Sequence, residues 1–118
     1  MDGGSWISFA SEPIQAGRLW YKKLGKTVFI SISQTNSIGF TENPNPRYLT
    51  YTRSGNTVYL PSEIRPTYPI NIFIIDNEND TAVHARILED GRIQAWNNPH
   101  IDITTISSWQ ADFCYRID

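Results

Sequence analysis

Two histidines, His84 and His100, one cysteine, Cys114, and four tryptophans, Trp6, Trp20, Trp96 and Trp109, are the side chains here with the most chemistry to offer. Nucleophilic catalysis asks for a serine or cysteine on a shaped turn beside a base. Serines are plentiful, yet the sequence holds no G-x-S-x-G elbow. H-E-x-x-H is missing too, and His100-Ile101-Asp102 supplies at most two metal ligands. The carboxylates Glu89-Asp90 fall on a turn tip, where water keeps both ionised and neither serves as a general acid. A lone cysteine makes neither an internal disulfide nor a thiolate zinc cluster. Within Phe113-Cys114-Tyr115 it reads as a small buried hydrophobe. These residues predict a binding protein rather than an enzyme, with no metal and no cofactor.

Charge narrows the partners. Ten Lys and Arg stand against twelve Asp and Glu, for a net charge of −2. The basic residues are spread singly apart from Lys22-Lys23, so the stripe that neutralises phosphates is absent and nucleic acid is not an expected partner. The longest apolar run, residues 70–75, contains Asn71 and falls far short of the ~18 residues of a membrane helix, so membrane insertion is not expected. Met1-Asp2-Gly3-Gly4 has neither the basic nor the apolar region of a signal peptide, which predicts synthesis in the cytoplasm.

The elements that must position these side chains are strands. The chain has 118 residues, room for one domain. Sixteen Ile and ten Thr against five Leu and six Ala favour a pleated, half-buried surface over helices. Period-two alternation recurs over residues 18–23, 27–33, 48–52, 57–60, 70–75, 81–88, 92–96 and 111–117. Turn signals separate them at 24–26, 54–56, 76–80 and 89–91. Short strands at this spacing predict an all-β fold, an antiparallel β-sandwich or jelly-roll-like domain. Residues 34–47, with Gly39, Pro44 and Pro46, read as one long irregular loop. Tyr21 to Ile30 and Tyr51 to Leu60 share Tyr, Gly, Thr and Val in register, as two hairpin sequences would.

One hairpin can be registered from parity. A two-residue turn at Asp90-Gly91 would set apolar Ile87 against polar Gln94. A three-residue loop, Glu89-Asp90-Gly91, pairs Ile87 with Ile93 and Ala85 with Ala95, and places Gly91 at the left-handed position. The outer face then carries His84, Arg86, Gln94 and Trp96, with Trp96 opposite His84. This surface is either a ligand platform or a subunit contact, where Trp and Arg are enriched.

Three stretches resemble a known family when taken in order. Trp20-Tyr21-Lys22-Lys23-Leu24-Gly25-Lys26-Thr27-Val28-Phe29-Ile30 is similar to the "YRKxGNxVxL" opening of phage tail-fibre and receptor-binding-protein head domains. Leu60-Pro61-Ser62-Glu63-Ile64-Arg65-Pro66 resembles their "LPxxFRP" turn, with Ile64 for the usual aromatic. Residues 85–96, ARILEDGRIQAW, resemble their closing "ARIxIxxDGxIxxW" hairpin. The resemblance spans about residues 6–117 and points to siphophages of Gram-positive, lactic-acid-type bacteria.

It implies a trimeric head, a carboxyl-terminal fragment of a longer protein, displayed on the virion at the tail tip or baseplate. Such a head binds host cell-wall polysaccharide. Sugar sites pair an aromatic face with planar or bidentate polar groups, and these heads use a His, an Asp, a Trp and an Arg. On that pattern Trp109 is the expected stacking platform, Asp102 the acceptor, and His100 and Arg116 the donors. Trp6 and Trp20 read as structural. A carbohydrate-binding module of a bacterial hydrolase, or a purely structural fibre domain, would share the same architecture.

Overall fold

The structure, a computed structural model, describes residues 5–33, 36–40, 47–96 and 108–117. These build β1 (Ile7–Ser8), β2 (Arg18–Leu24), β3 (Thr27–Ser33), β4 (Ile38–Phe40), β5 (Arg47–Tyr51), β6 (Ile70–Asp76), β7 (Thr81–Ile87), β8 (Ile93–Ala95) and β9 (Trp109–Arg116). A 3-10 turn, Ser62–Ile64, lies between β5 and β6. The all-β antiparallel class is as the alternation requires. All nine strands are hydrogen-bonded into one curled sheet, ordered β1-β2-β3-β9-β6-β7-β8-β5-β4.

The curl has a visible hinge. β9 pairs with β3 along seven residues, from Thr27↔Arg116 to Ser33↔Gln110. It meets β6 only at Ile75↔Gln110 and Asp76↔Trp109. Beyond those two pairs the strands part, and the inner faces of the two halves supply one core. Leu19, Val28, Ile30 and Ala111 come from one half, and Ile74, Ala85, Ile87 and Leu49 from the other. Burial of such aliphatic side chains, about 1.5–3 kcal/mol each, is what holds the halves together.

The β7–β8 hairpin has the register that parity predicts: Ala85↔Ala95, Arg86↔Gln94 and Ile87↔Ile93. Gly91 sits at φ +92 and its N–H donates to the Leu88 carbonyl at 2.9 Å. The Gly91 carbonyl accepts from the Leu60 N–H at 3.0 Å. Arg65 Nε donates to the Leu60 carbonyl at 2.9 Å, and the Tyr115 hydroxyl donates to the Ile64 carbonyl at 2.7 Å. The proline-bounded corner is therefore a keystone between the hairpin and β9, with Ile64 fully buried.

Several expectations are corrected. Residues 34–47 are not all loop: β4 lies inside them and pairs with β5 from Ile38↔Tyr51 to Phe40↔Leu49. Residues 57–60 form no strand, only a bridge at Thr50↔Thr57, with the Val58 N–H bonded to the Leu49 carbonyl. Cys114 is exposed, because it alternates with the inward-facing Phe113 and Tyr115 and so points outward.

Candidate functional site

The outer face of β6, β7 and β8 is assembled by two turns. Asp76 ends β6, and its Oδ1 accepts the Glu78 and Asn79 N–H groups at 2.9 and 3.4 Å while Oδ2 accepts from Asn79 Nδ2 at 2.7 Å. These bonds hold its carboxyl below the usual carboxylate range, the Asn79 side chain contributing most, against the upward push of desolvation. The turn fixes the β6–β7 register at Asp76↔Thr81, which brings Asn71 opposite Arg86 and Phe73 opposite His84. The Gly91 hairpin then brings Trp96 beside His84.

The side chains on this face contact one another in a continuous row. The His84 and Trp96 rings are stacked, with centroids 5.0 Å apart and planes 9° apart. Phe73 lies on the other side, 6.2 Å from His84 at 53°, and is 60% exposed. Asn71 Oδ1 accepts from Arg86 Nε at 3.1 Å and lies 2.9 Å from His84 Nε2. Since Asn71 Oδ1 is an acceptor, the contact needs His84 to carry its proton on Nε2. The Arg86 guanidinium stands 5.2 Å from the Trp96 ring centroid, a cation–π distance. Aromatic faces thus lie beside guanidinium and amide hydrogen-bond donors.

Gln94 plays a different part from the one expected. It is buried at 8% exposure, and its Nε2 donates to the Tyr48 hydroxyl at 3.1 Å. Tyr48 in turn lies under the Arg92 guanidinium, 4.7 Å from its ring centroid. Gln94 ties β5 to β8.

Of the carboxyl-terminal set, Trp109 and Arg116 lie among the described residues and do not share a face. Trp109 is 2% exposed and its ring packs on Phe40 at 5.5 Å, so it is a core residue with no free face for a sugar. Arg116 is exposed on the opposite face of β9, since Trp109, Ala111, Phe113 and Tyr115 turn inward while Gln110, Asp112, Cys114 and Arg116 turn outward. His100 and Asp102 lie outside the described residues. Among the described residues no group of three or more His, Cys, Asp and Glu side chains is placed to hold a metal ion.

Trp6 and Trp20, read from the sequence as structural, are instead 41% and 40% exposed. Their rings lie 6.4 Å apart on the outer face of β1 and β2, with Lys22 Nζ 4.8 Å from the Trp6 centroid. Nearby, Arg18 Nε donates to Ser31 Oγ at 2.6 Å and Ser31 Oγ donates to Asp112 Oδ1 at 2.6 Å. Compared with known proteins, the chain matches no family model and no curated sequence.

Proposed function

We propose that this domain is the saccharide-binding head of a phage receptor-binding protein, and that Phe73, His84 and Trp96, with Asn71 and Arg86, form its sugar platform. The observation that carries the reading is the aromatic row of exposed Phe73 and His84 and half-buried Trp96, the last two stacked at 5.0 Å and bordered by Arg86 and Asn71. The host ligand is cell-wall polysaccharide of a Gram-positive bacterium. A shallow site of this kind binds one sugar at about −4 kcal/mol, in the millimolar range. Three copies per head and many heads per particle raise avidity by ~10²–10⁴ without a new contact. No catalytic group is needed.

A trimer needs an apolar contact, and Trp6, Trp20 and Leu24, each 40–41% exposed, supply one on the outer face beside β1 and β2. The β6–β8 face as the subunit contact is the second reading, favoured by Phe73 and Ile75 at 60% and 37% exposure. Labelled protein pulled down on Gram-positive cells, with purified surface polysaccharides as competitors, tests the function. Light scattering of Phe73→Ala separates the readings. A trimer that persists with cell binding lost supports the platform, and a trimer that dissociates supports the contact. A monomeric wild type would favour a detached carbohydrate-binding module over a phage head.

A further inference from the structure

A cavity of about 470 Å³ opens among three separate stretches of chain: Glu12, Pro13 and Gln15 after β1, Asn36 and Ser37 before β4, and Tyr51 to Arg53 at the end of β5. Its volume falls within the ~300–1,000 Å³ of small-molecule sites. The sequence carries no signal for it, because its walls come from segments distant in the chain.

The walls are tied to one another. The Gln15 N–H donates to Ser37 Oγ at 2.9 Å, and the Thr52 N–H donates to the Ser37 carbonyl at 3.0 Å. Thr52 Oγ1 donates to the Asn36 carbonyl at 2.8 Å, and the Ser11 N–H donates to the Tyr51 hydroxyl at 2.8 Å. Glu12 is held from outside the cavity lining: its carboxylate accepts from Ser54 Oγ at 2.8 Å and from Asn56 Nδ2 at 2.9 Å. The first wall leaves for β2 through Ala16 at φ +49 and Gly17 at φ +68. A non-glycine residue held there stores about 1 kcal/mol or more of strain, which the surrounding ties must offset.

Two polar groups of the lining are exposed and open to a ligand. The Arg53 guanidinium and the Asn36 side-chain amide have no hydrogen-bond or ion-pair partner among the described residues. One guanidinium and one carboxylate make the lining neutral overall. That balance suits a neutral, hydroxyl-rich ligand better than an anion. A sugar hydroxyl both accepts and donates, so one molecule can accept hydrogen bonds from Arg53 and Asn36 and donate one to the Glu12 carboxylate. The exposed Pro13 ring offers an apolar edge to the C–H side.

We infer that this cavity is a second saccharide subsite, taking a neutral monosaccharide unit, and sharing no residue with the Phe73–His84–Trp96 platform. The inference rests on the reading of the domain as a saccharide binder. It implies that the domain grips a glycan at two places.

The test is a titration of the ¹⁵N-labelled whole chain with glucose, N-acetylglucosamine and glucuronate, followed by amide shifts. Expected are saturable shifts at Ser37, Thr52 and Arg53 with a neutral sugar, weakened about 10-fold or more in Arg53→Ala, as for a lost hydrogen bond to a charged group. Asn36→Ala should weaken the same shifts while leaving those at His84 and Arg86 in place. Shifts confined to His84, Arg86 and Trp96 overturn the subsite and leave the platform standing. Shifts confined to the cavity uphold the subsite and remove the platform. A response to glucuronate alone overturns the neutral-ligand assignment, and no response to any sugar removes both readings.

Discussion

The His84 and Trp96 rings lie face to face on the outer surface, 5.0 Å apart at 9°, while Trp109 packs on Phe40 inside the core. The two tryptophans therefore carry different weights. Trp96→Ala should cost about 0.5–1.5 kcal/mol, the worth of a surface aromatic pair. Trp109→Ala should cost about 3–5 kcal/mol, since it leaves a cavity among buried side chains. Urea denaturation of both variants measures this, and equal losses would mean that Trp96 is also a core residue.

Gly91 has less room for a side chain than Gly25, Gly39 or Gly55. At φ +92, a Cβ added there would lie 2.7 Å from Arg65 Nε and 3.0 Å from the Leu60 carbonyl oxygen. Gly25, at φ +59, has open space at the same point. Gly25→Ala should cost about 1–2 kcal/mol of backbone strain, and Gly91→Ala more, because the clash adds to the strain. Thermal unfolding of the pair checks the ranking.

The Tyr115 hydroxyl donates to the buried Ile64 carbonyl at 2.7 Å, and burial raises its ionisation above the ordinary tyrosine range. A raised folded value means that its stabilisation is complete below the unfolded value of about 10 and is lost as pH climbs through the folded one. In an ultraviolet alkaline titration, Tyr115 should be absent from the tyrosines that ionise first. Tyr115→Phe should cost about 1–3 kcal/mol, because it strands the Ile64 carbonyl.

Asp76 gives the acid side of the profile. Its carboxyl is lowered foremost by the Asn79 side-chain hydrogen bond. Its contribution is thus present above the ordinary carboxylate range and disappears as pH falls through the lowered folded value. Asp76→Asn should lower stability at neutral pH and flatten its decline between about pH 4 and pH 2. Unfolding midpoints across that range would show an unchanged slope if the carboxyl were merely solvated.

Much of the fold was readable because strand parity is strict. Ile87 and Ile93 had to face the same core, and one loop length achieves that with Gly91 at its left-handed position. The same logic was available for β9, where Trp109 and Arg116 lie an odd number of residues apart and cannot share a face, and where Cys114 is out of phase with Tyr115. Resemblance to a His, Asp, Trp and Arg set outweighed that parity. Asn71 was visible only as a polar interruption in an apolar run. Carrying the register outward from the Asp76–Thr81 turn would have placed it against Arg86. The exposure of Trp6 was not readable, because a two-residue β1 has no period of its own, whereas Trp20 follows the buried Leu19 in β2 and its outward direction was set by parity. The Glu12–Asn36–Arg53 cavity leaves no local pattern at all.

Isothermal titration of Gram-positive cell-wall polysaccharide into the wild type, Trp96→Ala and Phe73→Ala tests the central claim most directly. If the β6–β8 face is the sugar platform, both variants keep the wild-type unfolding free energy to within about 1.5 kcal/mol and bind about 10-fold or more weakly. Undiminished affinity in both variants, in protein that remains folded, would contradict it.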